Sequence, residues 1–368
     1  MKQKKIIISG GGTGGHIFPA IAAAQALKRI DETLEILFVG AKGKIEERKV
    51  PEAGFKIELI DIRGFQRKLS FETIKNILRL IKSLFKARKI IRKFKPDVVV
   101  GVGGYASGPV VYVASLKGIP TLIQEQNSYP GITNKILSKK ADKICVAYEA
   151  VKKYFPQEKI VLTGNPVRKK ITDPVATKEE VLTFFNLEAG KKVILSLGGS
   201  GGAKSINDGI IANLDKIAES DVFFIWQTGK NYYENSLKAT EEIQAKNIKV
   251  YDFIARMDLA YKASDLVISR AGAGTISELS ILGKATILVP SPNVAEDHQT
   301  KNAMALVNLN AAVLIKDNET ENKLINTALE LVKNDDEINK LSDNISKEKM
   351  PNSGMLIAKE ILNLIKEK

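Results

Sequence analysis

The chain has 368 residues, 44% of them hydrophobic, a formal net charge of +14 and a single cysteine, Cys145. That length predicts two domains, one cysteine excludes a disulfide framework and fits a reducing compartment, and no apolar run of about 18 residues is present to span a membrane. Residues 1–167 carry 30 basic and 14 acidic side chains against 26 and 28 in residues 168–368, so the first half holds the whole excess and predicts an anionic partner there.

The first element is the strand-like KIIIS, whose apolar run Ile6–Ile8 is too short for a signal peptide. It feeds GGGTGGHIFPA, residues 10–20, a glycine-rich turn that opens a helix. Such a turn aims backbone N–H groups and a helix N-terminus at one spot, which suits a phosphate. His16, one of two histidines, stands at its mouth. It reads either as a group that titrates near neutral pH and does chemistry or as a satisfied structural histidine. Gly10 to Gly15 also match the dinucleotide pattern G-x-G-x-x-G. The next strand, LEILFVGAKGK, ends without the carboxylate that would hold a ribose diol. A nicotinamide enzyme is therefore disfavoured, although Lys42 and Lys44 would suit a 2′-phosphate, and tight-turn geometry alone would also explain the glycines.

After the strand KIELI comes a stretch of unusual charge. Residues 63–95 hold 12 basic residues and one acidic residue, Glu72. Phe71, Ile74, Ile77, Leu78, Ile81, Leu84 and Phe85 recur at helical spacing, with Leu80, Ile90, Ile91 and Phe94 widening the apolar surface. This is either a core-facing helix with a solvated basic face or a helix that touches an anionic membrane. Nucleic acid is the weaker partner, because aromatics are 6% of the chain and no RNA or DNA motif is present.

DVVV then leads into a second glycine turn, GVGGYASGP at 101–109, followed by the strands TLIQEQ and KICVA. The domain junction is expected near GNPVRKKITDP, residues 164–174. Beyond it KVILSLG, VFFIWQTG, IKVYDF, DLVISRAG, ATILVPS and AAVLI repeat the alternation of strands with helical segments. Each half thus predicts an α/β, Rossmann-like parallel sheet. A third turn, LGGSGGAKSIND at 197–208, and a fourth, SRAGAGTISE at 269–278, again follow strands. Four such loops at carboxyl sheet edges predict a cleft with phosphate-binding backbone on both walls. Glu278, early in the fourth loop's helix, reads as a ribose-diol acceptor or as a glutamate near a favourable dipole end. His298 and Gln299, in EDHQTKNA, begin a further helix, and the tail from Asn352 has helical periodicity. There is no Asp-x-Asp pair, Cys/His cluster, G-x-S-x-G elbow or Walker motif. A diphosphate leaving group would have to be met by helix N-termini and basic side chains.

GGTGGHIFPA, GGYASGP, QEQNSYPGITNK, GNPVR, LGGSGGA, RAGAGTISE and EDHQTKNA occur in an order that resembles the MurG family. The resemblance runs from about residue 5 to about 305. It implies the GT-B fold, with an acceptor and membrane-associated domain at 1–167, a UDP-GlcNAc-binding domain at 168–349, and the helix of 350–368 packed back on the first. It implies inverting, metal-independent transfer of N-acetylglucosamine from UDP-GlcNAc to undecaprenyl-diphosphate-MurNAc-pentapeptide (lipid I), giving the β1→4 link of lipid II in peptidoglycan synthesis. No cofactor is implied. The implied seat is the cytoplasmic face of the plasma membrane, peripherally bound, with a cell-wall synthesis complex as a further partner. Carried over residue by residue, Thr13, Gly14, Gly15 and Asn127 would lie against the donor. Arg168, Ser200 and Ile254 would line the uridine diphosphate pocket. Ala273, Gly274, Thr275, Ile276, Ser277 and Glu278 would complete it, with Glu278 on the ribose and Gln299 near the sugar. Gly103, Gly104, Tyr105 and Ser107 would face the acceptor diphosphate, and His16 would be the general base. Gly201 departs from the family's usual GGSQGA, which puts one side-chain contact to the donor in doubt. A UDP-GlcNAc 2-epimerase and a non-catalytic sugar-nucleotide scaffold are the other readings of such a chain.

Overall fold

A computed structural model describes residues 3–64, 71–168, 171, 176–199 and 201–366. The chain divides into two compact units, Met1–Val167 with Met350–Lys368, and Arg168–Lys349. Residues 169, 170 and 172–174 of the expected junction, together with Ser200, lie outside the described residues.

The first unit is built on a seven-stranded sheet of β1 (Lys5–Ser9), β2 (Glu35–Ala41), β3 (Lys56–Ile60), β4 (Val98–Gly101), β5 (Thr121–Glu125), β6 (Lys143–Val146) and β7 (Ile160–Leu162). Their spatial order is β3-β2-β1-β4-β5-β6-β7. The interior strand β1 pairs parallel on both sides, Ile6 standing opposite Ile36 and Val98. Alternation along β1 sends side chains into two cores. Ile6 and Ile8 pack with the helix Gly14–Ile30 and the C-terminal helix Ser353–Lys366, while Ile7 packs with the helices Phe71–Phe94 and Ser107–Leu116 on the other face. Burial on both faces is why β1 and β4 read as unbroken β-branched runs. β7 is absent from the sequence expectations. It has three half-buried residues at the sheet edge, too short for a hydrophobic pattern to register.

The second unit carries β8 (Lys192–Leu197), β9 (Val222–Gln227), β10 (Ile248–Tyr251), β11 (Leu266–Ser269), β12 (Ala285–Leu288) and β13 (Val313–Leu314) in the order β10-β9-β8-β11-β12-β13. All pairings are again parallel. Trp226 is buried at its centre, its indole N–H satisfied by Asn207 Oδ1 at 2.9 Å.

The basic helix Phe71–Phe94 has two apolar faces. Ala87, Ile90 and Ile91 are buried against the sheet, with Leu80, Leu84 and Phe94 packed beside them. Ile77, Leu78, Ile81 and Phe85 are exposed, Phe85 to 68%. The side chains of Phe71 and Ile74 lie outside the described residues. No helix among the described residues is long and apolar enough to cross a membrane.

Candidate functional site

In the first unit the glycine turn after β1 ends at Thr13, the extended residue that caps the helix Gly14–Ile30. Thr13 Oγ1 and His16 Nδ1 are 3.1 Å apart. When Nδ1 carries the proton and donates it to the hydroxyl, Nε2 is left as an acceptor, the tautomer a general base requires. Nε2 faces the second loop. A β-carbon built on Gly103 would lie 3.0 Å from it, and Gly103 has a φ of +85°, so only glycine lets the imidazole approach. Gly104, at φ +77°, meets the first loop backbone to backbone, its absent β-carbon falling 2.2 Å from Gly11 O. Thr13, His16, Gly103 and Gly104 are thus brought together.

Two carboxylates that sequence reasoning missed hold loops of this unit. Glu46 is buried and accepts N–H bonds from Gly12 and Ala41, both at 2.9 Å. A β-carbon on Gly11 would fall within 2.2 Å of its carboxylate. Gly12's N–H is taken by Glu46 and is not among the first loop's N–H groups open to a phosphate. The signal was a glutamate just past the end of β2, a little beyond the position where the dinucleotide pattern looks for one. Glu125, at the end of β5, is the second. It accepts from Asn127 N (3.0 Å), Asn127 Nδ2 (3.2 Å), Gly131 N (3.1 Å) and Asn134 Nδ2 (2.9 Å). Burial pushes its carboxyl above the usual range and these donors oppose the rise. Asn127 is therefore set by Glu125.

Of the remaining residues in the second loop, Tyr105 is exposed and lies against Gly64, whereas Ser107 is buried and donates its hydroxyl to Gly104 O at 2.9 Å. Ser107 braces the loop from beneath. A pocket of about 170 Å³ opens between Gly11, Gly12, Tyr105 and Ala106, with Lys44 and Arg63 also on its wall. Gly14 and Gly15 form the first turn of the helix that carries His16.

In the second unit the turn after β11 opens the helix Ala273–Leu282. Its first turn leaves the N–H groups of Ala273, Gly274 and Thr275 without intrahelical acceptors, while Ala273 and Ile276 pack inward. Ser277 Oγ donates back to Ala273 O at 2.9 Å. Glu278, 17% exposed, holds Arg168 Nη2 on one oxygen at 3.2 Å and the Tyr261 hydroxyl on the other at 2.9 Å. Burial raises the Glu278 carboxyl above its ordinary value, and Arg168 and Tyr261 work against that rise.

Arg270, unmarked by the sequence reading, ties the carboxyl edge of this sheet together. Its guanidinium pairs with Asp317, bonds Ser205 Oγ at 3.0 Å and donates to Val289 O at 3.1 Å and Pro290 O at 3.3 Å. Ile254 N–H donates to Gln227 Oε1 at 2.9 Å, and Gln227 Nε2 reaches Gly199 O at 3.3 Å, so Ile254 is linked to the third loop. Gln299 Oε1 accepts from Ser291 N at 2.9 Å, which turns it toward the loop after β12. His298 begins the same helix, following two residues of left-handed backbone, Glu296 and Asp297.

The chain matches the glycosyltransferase family 28 N-terminal domain over residues 6–146 and the corresponding C-terminal domain over residues 193–355. It is 54% identical over 368 residues to the UDP-N-acetylglucosamine–N-acetylmuramyl-(pentapeptide) pyrophosphoryl-undecaprenol N-acetylglucosamine transferase of Parabacteroides distasonis, covering 100% of both chains. The chain belongs to the MurG family. The protein of the same description from Bacteroides fragilis is 53% identical, over 99% of this chain and 96% of the relative. The crystal structure of Acinetobacter baumannii MurG matches with a TM-score of 0.78 at 29% identity, covering 98% of this chain and 99% of that one. The two parallel α/β units are those of the GT-B type seen in MurG.

Proposed function

We infer that the chain transfers N-acetylglucosamine from UDP-GlcNAc to the N-acetylmuramyl-(pentapeptide) pyrophosphoryl-undecaprenol acceptor, inverting the anomeric carbon to make the β1→4 bond of lipid II in peptidoglycan synthesis. Membership of the MurG family supports the substrates, and the arrangement of His16 supports the chemistry. Thr13 fixes Nδ1, and Nε2 stands over the second glycine loop. His16 Nε2 takes the proton from the acceptor hydroxyl as that oxygen bonds to the anomeric carbon, and the UDP oxygen leaves with the electrons of the old bond. The transition state is oxocarbenium-like, by analogy with glycoside hydrolysis. Negative charge then grows on the departing diphosphate, where helix N–H groups and cations stabilise it. The helix that begins at Ala273 and the side chain of Arg168 serve the donor, and Glu278 accepts from the ribose diol. Asn127, Ile254 and Gln299 belong to the donor side of the reading, as do Thr13, Gly14 and Gly15. Gly103, Gly104 and Tyr105 face the acceptor diphosphate, with Ser107 bracing them.

The test is transfer of radiolabel from UDP-GlcNAc to a short-chain lipid I analogue with EDTA present. Label enters the lipid, and His16→Ala lowers kcat by about 10²–10⁴-fold, the usual worth of a general base. Glu278→Ala raises the donor KM. Undiminished transfer by His16→Ala would remove the histidine from the chemistry, and UDP binding without transfer would favour the epimerase or scaffold reading.

The same reading seats the protein peripherally on the cytoplasmic face of the plasma membrane, where it would meet the other enzymes of cell-wall synthesis. Exposed Ile77, Leu78, Ile81 and Phe85 share one stripe of a helix whose Lys75, Lys82, Lys86, Lys89 and Arg92 are also exposed. Apolar insertion flanked by lysines is how an interfacial helix binds anionic lipid, at about 1 kcal/mol per basic residue near the surface. Reversing Lys82, Lys86 and Lys89 to glutamate therefore releases the protein from anionic vesicles while UDP binding persists; unchanged vesicle binding rejects this face.

A further inference from the structure

We propose that Tyr261 is a positioning residue that holds the Glu278 carboxylate for the two hydroxyls of the donor's ribose. The proposal rests on the reading of Glu278 given above.

Tyr261 lies on the helix Met257–Ala263 and is buried, so its hydroxyl has no access to bulk water and finds its partner in Glu278 Oε2 at 2.9 Å. Arg168 takes the other carboxylate oxygen at 3.2 Å from a side chain that is half exposed. A carboxylate oxygen accepts along two lone-pair directions. One partner on each therefore leaves one acceptor direction on each, and the Glu278 side chain is 17% exposed. Two neighbouring hydroxyls need two acceptors at a fixed separation and in a fixed plane. A carboxylate held at one oxygen rotates about its last bond and presents that plane only part of the time. Held at both, it is preorganised, and binding then costs less ordering.

The chemistry of the pair agrees. Burial and the neighbouring carboxylate push the Tyr261 phenol well above its ordinary value, so it remains a donor across the working pH range. A phenol donating to a carboxylate is a charge-assisted bond, stronger than a neutral one. Tyr261 is buried and its hydroxyl is bonded to Glu278, so its effect on the donor is read through Glu278.

The experiment compares UDP with 2′-deoxy-UDP, each titrated calorimetrically into the full chain as wild type, Tyr261→Phe and Glu278→Ala. The wild type prefers UDP by about tenfold or more, the scale set by leaving a polar group built to bind a hydroxyl unpaired. Tyr261→Phe weakens UDP about fivefold but 2′-deoxy-UDP less than about twofold, so the preference narrows. In turnover its donor KM rises while kcat stays within about twofold, the pattern of lost binding energy shared by ground and transition states. Phenylalanine fills the same space, and an unchanged unfolding midpoint shows that the fold is kept. Equal weakening of both ligands, or none, overturns the proposal. If Glu278→Ala keeps the preference, the ribose reading of Glu278 fails and Tyr261 falls with it. If Glu278→Ala abolishes the preference and Tyr261→Phe preserves it, the proposal for Tyr261 alone fails.

Discussion

In the first unit carboxylates hold loop N–H groups from beneath: Glu46 draws in those of Gly12, in the first glycine loop, and Ala41, and Glu125 those of Asn127 and Gly131, in the loop after β5. In the second unit the corresponding place is taken by a guanidinium, with Arg270 gathering Asp317, Ser205 and the carbonyls of Val289 and Pro290. The sign of the brace decides what the loop has left to offer. A carboxylate consumes N–H donors and sets negative charge under the turn. The Arg270 guanidinium consumes carbonyl oxygens rather than N–H donors, and its charge is balanced by Asp317. By this argument the second unit is the better seat for a diphosphate, and the first loop of the first unit serves mainly to fix Thr13 and His16.

Two truncations test that contrast most strongly. Glu46→Ala strips the half-buried N–H of Gly12 and the buried N–H of Ala41 of their acceptor, at up to about 1–3 kcal/mol each. We expect a loss of about 3 kcal/mol, seen as a fall of about 8 °C in the unfolding midpoint. In turnover kcat falls at least about tenfold and the donor KM moves little, since the displaced group is His16. Arg270→Ala should do the reverse, raising the donor KM about tenfold or more, and Arg270→Lys should fail to restore it because an ammonium cannot reproduce the planar fork. Steady-state kinetics with the lipid I analogue read both. If Glu46→Ala and Arg270→Ala weaken the donor equally, the two braces do the same job and the contrast is wrong.

The sequence reveals the loops more readily than the braces. Strand, glycine turn and helix are contiguous, so the turns after β1, β4, β8 and β11 are visible in local pattern, as are all the strands except the edge strand β7. The braces act across long separations. Glu46 reaches Gly12 over 34 residues, and Arg270 reaches Asp317 over 47. In sequence, Glu46 is one of two adjacent glutamates in a charged helix, and Tyr261 is an aromatic on an amphipathic one. Nothing in periodicity separates an inward-bonded carboxylate from a solvated one; only the register of the sheet, which sets β2 beside β1, brings Glu46 under the loop. The basic helix Phe71–Phe94 shows the opposite limit. Its periodicity is plain, but which of its two apolar faces meets the sheet depends on how Ala87, Ile90 and Ile91 seat against the core.

The smallest expected effect concerns Gly201, which stands where the MurG resemblance leads one to expect glutamine. A β-carbon built there meets nothing within 4 Å, and its backbone lies outside the left-handed region, in contrast to Gly202 at φ +84°, whose β-carbon would strike the Tyr232 ring at 2.4 Å. Glycine at 201 is therefore permitted by the turn but not required by it. Gly201→Gln should alter stability by less than about 0.5 kcal/mol, as for other exposed substitutions without a strained backbone. Its effect on the donor then isolates one side-chain contact. A lower donor KM means that a glutamine side chain there adds a bond to the donor that this chain works without. An unchanged KM means that the groups already present meet the diphosphate without it. A loss of stability of 2 kcal/mol or more, on the scale that marks a named structural defect, would show that the turn needs glycine at 201 after all, and that the third loop is held as tightly as the first.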